Sequence, residues 1–222
     1  MNQELWTAVD DYFDALLHRP DPALDAALQA SEAGGLPQIQ VAPNQGKLLW
    51  ILARSLNARR ILEVGTLGGY STIWLARALA PGGHLITLEL MPNHAEIARA
   101  NFVTAGLDDR IELRVGSAVE LLPALASEGG ASFDLVFIDA DKENTITYFE
   151  WVLKMVHPGS LIIVDNVVRS GKVIDPHEAE SRVQGVRRAM DRISAEPRVS
   201  ATALQTVGSK GYDGLVLAYV IG

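Results

Sequence analysis

Apolar residues recur along this chain with two different periods. Near the N-terminus Leu5, Val9, Tyr12, Phe13, Leu16 and Leu17 fall at three- and four-residue steps, the spacing of one helix face. Pro20 ends that helix. Asp21-Pro22 can open a second, with Leu24, Ala27 and Leu28 on one face, closing near Gly34-Gly35. Pro43-Asn44 precedes a third, Gln45 to Leu56. From residue 60 short apolar runs bounded by Gly, Asp or Asn predict buried strands at Ile61–Val64, Leu85–Glu89, Ile111–Val115, Phe133–Ile138, Leu161–Val164, Val199–Ala203 and Leu215–Ile221. Helical patterns separate them at Ser71–Leu79, Asn93–Ala105, Ala118–Ala126, Ile146–Val156 and Glu180–Ile193. This alternation predicts an α/β fold, a mainly parallel sheet with helices on both faces. The last two runs have no helix between them and predict an antiparallel hairpin. In such sheets ligands bind beyond the carboxyl ends of the strands.

Composition narrows the chemistry. The chain has 222 residues, which fits one domain spanning 1–222, with residues 1–40 as a helical extension. No separate substrate domain is expected, so the pocket must come from that extension and the loops of the sheet. There is no cysteine, which excludes disulfides, thiol nucleophiles and sulfur-ligated metals. A formal charge of −8 argues against nucleic-acid or anionic-membrane partners. The N-terminus mixes acidic with apolar residues, unlike a signal peptide. The longest apolar run, Leu215–Ile221, is far shorter than the roughly 18 residues needed to span a bilayer. The cytoplasm is the expected compartment.

Two strand ends carry candidate chemistry. Glu63-Val64-Gly65-Thr66-Leu67-Gly68-Gly69-Tyr70-Ser71 follows a strand and opens a helix, and its glycines allow a sharp turn and close ligand approach. Glu89 ends the next strand, where a carboxylate can accept ribose hydroxyls. The spacing departs from the dinucleotide G-x-G-x-x-G pattern. Glu63, two residues before the first glycine, would repel a pyrophosphate. It suits a nucleoside with a cationic end, as in S-adenosylmethionine (SAM). The second constellation is Asp139-Ala140-Asp141-Lys142 after the fourth strand and Asp165-Asn166 after the fifth. Asp139, Asp165 and Asn166 offer hard oxygen ligands for Mg²⁺ first, or Mn²⁺ or Ca²⁺.

Together these motifs resemble the cation-dependent O-methyltransferases, the group of catechol and caffeoyl-CoA O-methyltransferases and small bacterial relatives. The resemblance runs from about residue 36 to the end. It implies a Rossmann-like, seven-stranded methyltransferase domain whose last strand is antiparallel. By position, Asp139, Asp165 and Asn166 match the metal ligands, and Lys142, beside Asp139, matches the proposed general base. Glu63, Gly65, Thr66 and Ser71, with Gly69 in the same turn, match the methionine end of the SAM site. Val41 matches an apolar contact, Glu89 the ribose carboxylate, and Gly116, Ser117 and Ala118 the adenine loop. Asp141 and Tyr148 match further cofactor contacts, as does Asp139. The plant enzymes' Trp-Asn after the Asp-Asn pair is replaced here by Arg169-Ser170.

The implied reaction is methyl transfer from SAM to a hydroxyl of a small vicinal-dihydroxy aromatic. At pH 7 ionising a phenol of pKa about 10 costs about 4 kcal/mol, within what a chelated divalent ion supplies. Lys142 can take the proton if its own pKa falls. A SAM-binding protein without turnover, a macromolecular methyltransferase and a nicotinamide dehydrogenase are the rival readings. His18, His84, His94, His157 and His177 read as surface or turn residues, and Trp6, Trp50, Trp74 and Trp151 as packing. The polar stretch Val167–Ala179 reads as a mobile flap over the substrate. The first 35 residues are a candidate lid or contact of a homodimer.

Overall fold

The computed structural model describes residues 2–129 and 132–222. Three helices lead in: α1 (Gln3–Leu17), α2 (Pro22–Ala33) and α3 (Pro43–Ser55). Proline at the first turn of α2 and α3 suits a position whose N–H has no helical partner. Asp21 caps α2, accepting from the N–H groups of Ala23 and Leu24 at 3.2 Å each, and also pairs with Arg77. The alternating part follows as β1 (Arg60–Val64), α4 (Tyr70–Ala78), β2 (His84–Glu89), α5 (Pro92–Thr104), β3 (Ile111–Val115), α6 (Ala118–Ser127), β4 (Phe133–Ile138), α7 (Thr145–Val152), β5 (Val156–Asp165), α8 (Ser181–Ser194), β6 (Val199–Gly208) and β7 (Gly211–Val220).

The seven strands form one sheet in the order β3-β2-β1-β4-β5-β7-β6. The first five are parallel, and β7 runs antiparallel to both β5 and β6. The pleat sends alternate residues to opposite faces. Ile61, Leu85, Leu135, Phe137 and Ile163 pack under α2 to α5. Leu62, Val64, Ile86, Val136, Ile138, Ile162 and Val164 pack under α6 to α8. Strands buried on both faces read as continuous apolar runs, which is why the periodicity located them.

Several expected element boundaries are corrected. The helix expected at Ile146–Val156 ends at Val152, and β5 begins at Val156, well before Leu161. Ser160 explains the early start: it donates to the Phe133 carbonyl at 2.7 Å and accepts from the His157 N–H at 3.0 Å, stitching a Pro-Gly segment to β4. Strand β6 runs to Gly208, past Ala203, because its edge position leaves polar Thr and Gln exposed. In α1 the apolar stripe is solvent-exposed at Leu5, Val9, Tyr12, Phe13, Leu16 and Leu17. The helix docks by its polar side: Asp10 accepts from the Ser209 N–H at 2.7 Å and from Asn44 at 2.9 Å. Among the described residues no helix is long and apolar enough to cross a membrane.

The two central strands converge at Gly65. The Asp139 N–H donates to the Val64 carbonyl at 2.8 Å, and the Gly65 N–H to the Leu88 carbonyl at 3.0 Å. Gly65 has φ +103, and a Cβ there would collide with the Asp139 carbonyl. Gly65→Ala should therefore lower unfolding free energy by about 1–3 kcal/mol. Urea denaturation of both proteins checks this, and an unchanged midpoint would contradict it.

Candidate functional site

A cavity of about 770 Å³ lies beyond the carboxyl ends of β1, β2, β4 and β5. Its wall includes Val41, Gly65, Thr66, Ser71, Glu89, Gly116, Ser117, Ala118, Asp139, Asp141, Lys142, Tyr148, Asp165 and Asn166. Residues far apart in sequence meet there because parallel strands all end on one rim.

Glu63 and Gly69 are expected contacts that the fold does not bring to the wall. Glu63 points under α4 and is fully buried. It accepts hydrogen bonds from Ser71, Thr72 and Thr87, the first and third at 2.7 Å. Burial pushes its pKa up to about 7, the three hydroxyls oppose that rise, and the Asp139 charge adds a little to it. The carboxylate thus reaches the cavity only through Ser71, which lines it. Gly69 opens α4 at φ +83, with the Phe102 ring occupying the place of a side chain.

Glu89 is held rigidly. Its carboxylate accepts from the N–H groups of Thr66 at 3.2 Å, Leu67 at 2.8 Å and Met91 at 2.9 Å. His94 lies 3.4 Å away, so this histidine belongs to the cavity wall and is not a surface or turn residue. Its place in the first turn of the helix after Glu89 was the available signal. None of the four tryptophans lines the cavity, and Trp74 packs on the α2–α5 core.

At the other end, Lys142 is buried and donates to Asp139 at 2.8 Å. The turn that carries it, Lys142–Asn144, is fixed on three sides. Asp141 accepts from the Asn144 side chain at 2.6 Å and from the Tyr148 hydroxyl. Burial and the Asp141 charge raise the Tyr148 pKa, so the phenol remains a donor. Gly185 of α8 packs directly on the Lys142 carbonyl, where a side chain would not fit. Asp165 is 4% exposed and accepts from Gln45 at 2.6 Å and from the Asn166 N–H at 2.8 Å. Nothing in the sequence pattern pointed to Gln45, which lies in α3.

Burial, then the charge of Asp139, push the Asp165 pKa up to about 7, against Lys142 and the two donors. Among the described residues no three His, Cys, Asp or Glu side chains cluster as a metal site. The candidate set is two carboxylates and the Asn166 amide. Two carboxylates close enough for the charge of Asp139 to act on Asp165, beside an amide oxygen, suit a hard divalent cation.

The segment expected as a mobile flap is hydrogen-bonded to α8. Arg187 of α8 donates to the carbonyls of Val173 at 2.9 Å and Lys172 at 3.2 Å, and also to that of Asp175. Lys172 pairs with Glu180 at 2.8 Å. The polar composition serves these tethers.

Residues 22–221 match the family model described as O-methyltransferase. The chain is 49% identical to a catechol O-methyltransferase of Niastella koreensis over 220 residues, covering 99% of this chain and 100% of that protein. The fold superposes on an O-methyltransferase from Bacillus cereus in complex with SAH (TM-score 0.97, 55% identity, 98% and 99% of the chains). It also superposes on TomG from Streptomyces achromogenes, involved in tomaymycin synthesis and solved with SAM (TM-score 0.96, 50% identity, 100% of both chains).

The raised Glu63 pKa has a consequence for stability. Its contribution is fully present below the ordinary value of 4.5 and is lost as pH rises towards about 7. Between about pH 4.5 and about pH 8, wild-type stability should fall by about 3 kcal/mol more than that of Glu63→Gln. Urea unfolding across that range checks the difference, and parallel pH profiles would contradict it.

Proposed function

The chain belongs to the O-methyltransferase family, and from that premise we propose that it transfers a methyl group from SAM to one hydroxyl of a small vicinal-dihydroxy aromatic. The observation that carries this reading is one cavity joining the Glu89 end to the Asp139–Lys142–Asp165–Asn166 end. The relative named catechol O-methyltransferase and the similar structures holding SAH or SAM support it.

In this reading Glu89, fixed by three N–H groups, receives the ribose hydroxyls with its remaining lone pairs. Gly116, Ser117 and Ala118 flank the adenine, and Val41, just before α3, makes an apolar contact with the cofactor. Gly65, Thr66 and Ser71 line the methionine end. Asp139, Asp165 and Asn166 are the residues that would hold a divalent cation, Mg²⁺ first. When bound, such an ion supplies Lewis-acid stabilisation of a phenolate and two-point orientation of a diol. Lys142 is the base that accepts the phenol proton. Its contact with Asp139 at 2.8 Å holds it beside the residues that would bind the cation. Methyl transfer is an in-line displacement, and the rigid turns around Glu89 and Lys142 supply the positioning it needs. For the expected homodimer, the exposed apolar stripe of α1 is the surface we assign.

With SAM and a panel of catechols, methylation should be abolished by a chelator and restored by Mg²⁺. Asp165→Ala and Lys142→Met should each lower kcat by about 100-fold or more. SAH affinity, measured by calorimetry, should change much less. Turnover undiminished by the chelator would remove the metal from the reading, and full turnover in Lys142→Met would remove the base.

A further inference from the structure

Side chains of both charges line the cavity. Glu89, Asp139, Asp141 and Asp165 supply the acidic groups, and Arg169, Arg182 and Lys210 the basic ones besides Lys142. These cations sit on a chain whose formal charge is −8.

Arg169 is placed there by unusual backbone. It and Ser170 adopt φ +54 and +55, the left-handed region that L side chains rarely occupy. Asp213 of β7 holds the bend, accepting from the N–H groups of both Val168 and Arg169 at 3.0 Å. Strained backbone of this kind clusters at ligand clamps. The guanidinium it presents is not used up by the protein. Its Nε is buried and has no hydrogen-bond partner among the described residues. The nearest carboxylate, Glu180, is 3.8 Å away and is held more closely by Lys172.

Lys210 approaches from the β6–β7 turn. Its ammonium donates to the Gln38 carbonyl at 3.1 Å. Among the described residues no carboxylate lies within ion-pair distance of it. Two cations, each with donors to spare, therefore line the cavity that also holds Asp165 and Asn166.

We propose that the methyl acceptor carries a carboxylate as well as its vicinal diol, with Arg169 as the principal anion-binding residue and Lys210 as the second. A planar guanidinium takes a carboxylate in a two-point hydrogen bond, which orients the ring as well as holding it. This rests on the acceptor being a vicinal-dihydroxy aromatic, as read above. It adds a specificity that the catechol chemistry does not contain.

The test compares 3,4-dihydroxyphenylacetate with its methyl ester, where a methylene separates the charge from the reacting ring. Wild-type kcat/KM should favour the acid by about tenfold or more, chiefly through KM. The preference should shrink as ionic strength rises. Arg169→Met and Lys210→Met should each reduce the ratio of acid to ester. Arg169→Glu should favour 3,4-dihydroxyphenylethylamine, a cation, over the acid. Equal use of acid and ester by the wild type, or a ratio unmoved by both Met variants, overturns the proposal. If Arg169→Met does not fold, Lys210→Met and the wild-type salt dependence still decide. Methylation of the ester without preference for the acid leaves the proposed function standing and removes only the carboxylate. Failure to methylate any catechol, with SAM and Mg²⁺ present, removes both.

Discussion

Carboxylates buried at one rim of a sheet impose the condition that the rest of this structure meets. A buried anion is costly unless donors surround it. Glu63 receives three hydroxyls, from β2 and the start of α4. Glu89 receives three backbone N–H groups from the turns after β1 and β2. Asp165 receives Gln45 from α3 and the N–H of Asn166, and Asp139 receives Lys142. Donors therefore arrive from elements far apart in sequence. Satisfying the acids ties α3, the Gly-rich turn and the Lys142 turn to one place. Where the donors fall short, as at Glu63 and Asp165, the pKa rises instead.

Backbone approach sets the distances in this arrangement. Two glycines act where no side chain fits, Gly65 against the Asp139 carbonyl and Gly185 against the Lys142 carbonyl. One brings β1 and β4 together at the rim. The other seats α8 on the turn that carries Lys142. Asp213 plays a related part across the sheet, fixing the bend after Asn166 with contacts to Val168 and Arg169. Interiors packed at this density leave little room for a residue to shift alone.

Polar residues were the harder part of the sequence to interpret. The acidic excess discourages polyanion partners, but the net figure hides the cavity-lining cations Arg169, Arg182 and Lys210. The stretch after Asn166 resembles a loose loop in composition, yet its carbonyls accept from Arg187 and its Lys172 pairs with Glu180. In α1 periodicity locates the helix yet says nothing of its orientation. That helix buries Asp10 and exposes Leu16 and Leu17, because a polar anchor on the β6–β7 hairpin fixes its side.

The sequence alone determined the sheet and the rim. Buried parallel strands are continuous apolar runs, and glycine and acidic residues at their ends mark turns where ligands bind. Gly65, Glu89, Asp139, Lys142 and Asp165 are legible for that reason. Only the tertiary structure decided that Glu63 lies beneath the cavity wall, that Gln45 and His94 stand beside the acids, and that Arg169 and Lys210 line one cavity. These depend on helix rotation, on a hairpin folding back and on left-handed backbone at two non-glycine residues. Such features join positions more than a hundred residues apart, or set the direction of one side chain, and no local period encodes either.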